Sequence, residues 1–193
     1  RHLSRISKID YNSKNIDWNI GLEMPSGDTN LGNELKFSFQ HSLHKSIFYP
    51  SCFATLDNGN ISEQILNTDY PTTRALLICY DENIDSEPYI QWEYSLPENY
   101  FGFASGNVQI LDNGNFLITT VGDGGSVLEI DFEKNIIWEG KLNLQLPNGA
   151  VYRANRISGL YPNNYSILLK EFSDNTSAVT TSINNGSYLT TVS

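Results

Sequence analysis

SRISKIDYNSKNIDWNIG (residues 4–21) and GSVLEIDFEKNIIWEGK (residues 125–141) are one pattern written twice: an apolar run, an Ile-Asp pair, a polar turn, and a second run closing on Trp. Trp18 follows Asp10 by eight residues, and Trp138 follows Asp131 by seven. RALLICYDENIDSEPYIQWEYSLP (residues 74–97) is a looser version whose second run reaches Trp92. β-Branched and aromatic runs separated by turn residues read as strand-turn-strand. Recurrence of such a unit means that it is stacked against its neighbours, and in an all-strand chain the expected product is a β-propeller.

Working outward, GNVQILDNGNFLITTVGDGGSVLEIDFEKNIIWEGKL (residues 106–142) holds four short strands, the size of one blade. Residues 33–97 give a second blade with an insertion at 64–73, and no segment carries a sustained helical period. Residues before Gly21 read as outer strands of an earlier blade, whose inner strands are expected upstream. The fold class is therefore all-β, a partial propeller of two nearly complete blades and part of another, spanning residues 1–162. After Tyr161-Pro162 the composition shifts to Ser, Thr and Asn. The tail, 163–193, alternates apolar and hydroxyl residues around an Asn-Asn-Gly turn, as in an edge hairpin or the start of a β-sandwich. Two DNGN stretches, 57–60 and 112–115, read as type I′ turns.

Composition narrows the partners. Twelve Lys and Arg against 22 Asp and Glu give a formal charge of -10, which repels nucleic acid and anionic membrane. No membrane segment is expected, because the opening RHLSRISKID has no apolar run and the remaining runs are short. The chain reads as a piece of something longer. Cys52 and Cys79 are too few for a disulfide scaffold and read as buried small apolar residues, a bridge between them being the alternative. Asn-x-Ser/Thr sequons at Asn60, Asn164, Asn175 and Asn185 are expected by chance in so Asn- and Ser-rich a sequence.

The chemistry-bearing stretch is FSFQHSLHKSIFYPSCFATLDNGN (residues 37–60) followed by TTRA (72–75). It holds His41, His44 and, after a polar insertion, Arg74. A metal site needs a third ligand of matching type, which the neighbourhood lacks, so no metal is expected. A strand-end His or a lone Arg entering a strand is, on ordinary grounds, structural.

QHS (40–42), LDNGN (56–60), TTRALL (72–77), WEY (92–94) and VYRA (151–154), in this order, resemble bacterial arylsulfotransferases. The opening 4–21 is similar to the segment that follows an H-x-N-S motif in that family. The resemblance covers residues 1–162 and implies a six-bladed propeller, secreted or periplasmic, with the remaining blades supplied from outside this chain. It further implies transfer of a sulfuryl group from an aryl sulfate donor to a phenol acceptor, with no diffusible cofactor. By the same resemblance His41 and Arg74 are the catalytic candidates lining the central pocket; His44 and Arg153 are candidates for binding substrate. The family's sulfuryl-carrying His, in H-Y-R-A, is here Val151, which leaves enzymatic turnover an open question.

The chemistry can be stated without the family. Sulfuryl transfer develops charge on the equatorial oxygens and the leaving phenolate, so the site needs fixed positive donors and a proton source. Arg74 offers a planar fork for two sulfate oxygens, and His41 a proton for the leaving oxygen. Val151 has no lone pair and cannot act as a nucleophile. Three readings follow: a non-transferring relative, direct transfer, or substitution by another group such as His44. The alternative to an enzyme is a propeller module that binds an anionic or aromatic ligand.

Overall fold

The computed structural model describes residues 2–23, 30–84, 86–144, 149–157, 166–173, 176–183 and 186–192. The proposed boundary at Tyr161-Pro162, the Asn-Asn pair of the tail turn, and the sequons at Asn164, Asn175 and Asn185 lie outside these residues.

The chain is all-β, with helical structure among the described residues limited to one turn at Ser62–Ile65 and short 3-10 turns. It divides into two compact units, Arg1–Asn155 and Arg156–Ser193. Three sheets make up the first unit. The first holds β1 (Arg5–Ile9), β2 (Ile16–Gly21) and the two-residue β3 (Asn30–Leu31), which joins β2 in parallel. The second is an antiparallel meander of β4 (His41–Lys45), β5 (Cys52–Asp57), β6 (Arg74–Cys79) and β7 (Tyr89–Ser95). A second meander, β8 (Asn107–Ile110), β9 (Phe116–Thr120), β10 (Ser126–Ile130) and β11 (Ile136–Lys141), is the third sheet. In the second unit β12 (Ser166–Ser173), β13 (Thr176–Ile183) and β14 (Gly186–Val192) form an antiparallel sheet.

The Trp pattern resolves into a shared irregularity. Lys8 faces Trp18, Leu77 faces Trp92 and Glu129 faces Trp138. In each case the register then slips, setting Ile9, Ile78 and Ile130 opposite Ile16, Ile90 and Ile136. Asp17, Gln91 and Ile137 are the extra residues. A β-bulge of this kind bends the strand and increases its twist. The three Trp strands are thus equivalent, each carrying its sheet's bulge next to the Trp.

Alternation along β6 assigns the cores. Ala75, Leu77 and Cys79 join Leu56, Trp92, Ile110, Phe116 and Ile118 between the second and third sheets. Leu76 and Ile78 face the other way, onto Ile6, Ile20, Leu35 and Phe37 beside the first sheet. All six residues of β6 are buried because both faces are covered, which is why its sequence is a continuous apolar run after Arg74.

Two expectations are corrected. Cys52 and Cys79 stand opposite each other on β5 and β6 and are joined as a disulfide, not left as separate thiols. Neither DNGN is a type I′ turn, because that turn needs positive φ at both central residues and only Gly59 and Gly114 have it. The second stretch closes the β8–β9 hairpin, with Gly114 donating to the Leu111 carbonyl and Leu111 to that of Asn115. The first closes no hairpin: Asp57 accepts the Gly59 N–H in an Asx turn that ends β5.

Candidate functional site

The motif residues meet around the end of β5, and they divide between the two faces of the second sheet. Asp57 and Arg74 face each other across β5 and β6, so their side chains share one face. Arg74 Nε donates to Asp57 Oδ2 at 2.9 Å, and its Nη2 lies 2.8 Å from the same oxygen. Its Nη1 donates to Glu93 of β7 at 3.2 Å, and Nη2 also donates to the Lys36 carbonyl at 3.0 Å. Asp57 Oδ1 accepts the N–H groups of Ser38 and Gly59, each at 2.9 Å. Arg74 is 6% exposed and Asp57 is fully buried. Burial pushes the Asp57 carboxyl above the usual carboxylate range, against the opposing pull of the Arg74 charge and the two backbone N–H groups. Every guanidinium nitrogen of Arg74 is engaged within the protein.

His41 stands on the opposite face. It pairs with Leu56, whose side chain is in the core toward the third sheet. Its Nδ1 lies 2.6 Å from Asn58 Oδ1, while the Asn58 amide donates to the carbonyls of Gly102 and Ser105. That amide orientation makes Oδ1 the acceptor and Nδ1–H the donor, so Nε2 carries the lone pair. One DNGN stretch therefore serves both faces, Asp57 holding Arg74 and Asn58 holding His41. Thr73 ties the network together, donating to the Asn58 carbonyl and accepting the Gly102 N–H.

The remaining candidates are dispersed. His44 Nδ1 accepts the Ile110 N–H of β8 at 2.9 Å, so His44 links the second and third sheets. Val151 is buried, close against Gly125, where a Cβ would meet its Cγ1 at 3.0 Å. Beyond it, Ala154 is clamped by Asn107, which donates to its carbonyl and accepts its N–H. Ala154 packs with Leu111, Leu117 and Val127, on the face of the third sheet turned away from His41. Arg153 is exposed, its guanidinium 5.5 Å from the Tyr152 ring. The expected grouping of His41, Arg74 and position 151 around one anion is not what the fold brings together. Asp57, Asn58 and Glu93, which lie inside the quoted LDNGN and WEY motifs, went unassigned because only strand register reveals their partners.

A cleft of about 420 Å³ opens between the first and second sheets, at the end of β5 remote from Arg74. Trp18, Phe53 and Tyr80 supply its aromatic walls, and Lys8, Lys45 and Glu82 stand in its lining. Lys8 is held by Glu82 at 2.6 Å and Asp17 at 3.4 Å. Its hydrogen bond, with a further one from Trp18, holds the Glu82 carboxyl below its ordinary value. Among the described residues no three His, Cys, Asp or Glu side chains group as metal ligands, and no helix is long and apolar enough to cross a membrane.

No protein-family model, curated protein or solved structure matches the chain.

Proposed function

We propose that this chain is a segment of a β-propeller that binds a small aromatic anion and does not transfer a group from it. The observation that carries the reading is the engagement of Arg74: a guanidinium held by Asp57, Glu93 and the Lys36 carbonyl has no fork left for a sulfate. Val151 supplies no nucleophile at the second family position. The arylsulfotransferase resemblance is then one of scaffold, its motif residues serving as internal ties. The cleft between the first two sheets supports binding, with flat walls for a ring and the ammonium of Lys45 for a negative group. The Cys52–Cys79 disulfide supports an oxidising compartment, secreted or periplasmic.

A second reading, direct sulfuryl transfer assisted by His41, is favoured by one observation: Asn58 fixes the tautomer that leaves Nε2 basic. One experiment separates the two. The chain is titrated with p-nitrophenyl sulfate, following Trp fluorescence for binding and p-nitrophenol release with added phenol for transfer. The binding reading expects quenching without release, and quenching lost in Lys45→Glu. Release abolished by His41→Gln would overturn it in favour of transfer. Neither quenching nor release would remove both.

A further inference from the structure

The first-unit sheets dock on one another by a repeated lock. Trp18 meets Tyr80 of the second sheet edge-on, with ring centroids 5.5 Å apart, and its indole N–H donates to Glu82 at 3.2 Å. Trp92 lies flat on Phe116 of the third sheet, centroids 3.9 Å apart, and its N–H donates to the Phe132 carbonyl at 2.9 Å. Each Trp is received by the sheet that follows it in the chain. The two receivers share a position, two places beyond the isoleucine that faces the bulge: Tyr80 after Ile78, whose ring meets Trp18, and Phe132 after Ile130, whose carbonyl accepts from Trp92.

Both halves of this lock recur unused at the two ends of the series. Trp138 holds the donor position on the third sheet and is 50% exposed, beside exposed Ile136 and Ile137. Tyr11, two places beyond Ile9, holds the receiver position on the first sheet and is 83% exposed, beside exposed Ile9 and Ile16. The turns around Tyr11 and Phe132 are closed by the same residue types, the first being one residue longer: Asp10 donates to the Asn15 carbonyl as Asp131 does to that of Asn135, and Lys14 to Asp10 as Lys134 to Asp131. Lys14 sits 3.9 Å over one face of the Tyr11 ring, leaving the other face and the edge open. Contiguous exposed apolar side chains of this kind mark association sites.

We propose that the ends complete each other between copies of this chain, Trp138 of one seating on Tyr11 of the next. The contact is head-to-tail, because donor and receiver are different surfaces, and such a contact propagates unless the rotation closes it into a ring. Nothing in it depends on the ligand reading above.

The test is sedimentation equilibrium of the full chain over a range of concentrations, at about 0.15 M salt so that the charge of -10 is screened. The wild-type mass should climb with concentration above the 21.7 kDa of one chain. Trp138→Asp and Tyr11→Asp, both at exposed positions, should each remain monomeric with an unchanged circular dichroism spectrum. Mixed in equal amounts they should form a species of twice the monomer mass and nothing larger, since each retains the end that the other lost. A monomeric wild type, a monomeric mixture, or association by Tyr11→Asp alone, which would signal a like-to-like contact through Trp138, would each overturn the proposal.

Discussion

At the residue scale the decisive group is Asp57, which turns Arg74 from a candidate ligand-binding cation into an internal tie. A buried charge whose partner is removed typically costs about 3–5 kcal/mol, whereas replacing both members can be nearly neutral. Asp57→Asn and Arg74→Met should therefore each lower the urea midpoint by an amount corresponding to about 3–5 kcal/mol. The double variant should lose much less than the sum of the two, as expected for residues in direct contact. A near-neutral Asp57→Asn would instead mean that Arg74 is free to serve a ligand, and would revive the catalytic role the resemblance implies.

At the scale of the elements, the three equivalent Trp residues sit in unequal surroundings. Trp92 is 4% exposed between the second and third sheets, and Trp138 is 50% exposed. Truncating a buried aromatic costs about 3–5 kcal/mol, and an exposed side chain away from special features usually within about 0.5 kcal/mol. Trp92→Ala should thus unfold the chain or nearly so, while Trp138→Ala, compared in dilute solution, should leave its stability almost unchanged. Equal costs would mean that Trp138 is already covered in the monomer. The Trp units could be read from sequence because strand, turn and bulge are set within about twenty residues. What sequence did not give is whatever depends on register between separated strands. Cys52 and Cys79 are drawn together by the β5–β6 ladder, and Arg74 meets Glu93 only because β7 lies beside β6. The two DNGN stretches share a sequence yet differ in role, since one is flanked by paired strands and the other by the Asp57 side chain turning back on its own backbone.

For the whole molecule, the disulfide is the one covalent tie between separated parts of the chain. It closes a loop with a sequence separation of 27 inside the second sheet, which packs on the first through one core and on the third through another. In the chain-entropy account a loop of this length is worth about 3–4 kcal/mol. Thermal unfolding in excess reductant should show a lower midpoint by an amount matching that figure, and Cys52→Ala with Cys79→Ala should reproduce it without reductant. An unchanged midpoint would mean that the β5–β6 pairing alone holds the sheet.

That Trp18 and Trp92 are each received by the next sheet also gives synthesis a direction. When β7 has left the ribosome at Ser95, the cover of Trp92 is incomplete until Phe116 and then Phe132 have followed. Those 37 residues (132 minus 95) take roughly 2–7 s at about 5–20 residues per second. For that interval the nascent second sheet carries an apolar face with no mate, and it is then, rather than in the finished protein, that a chaperone has most to protect.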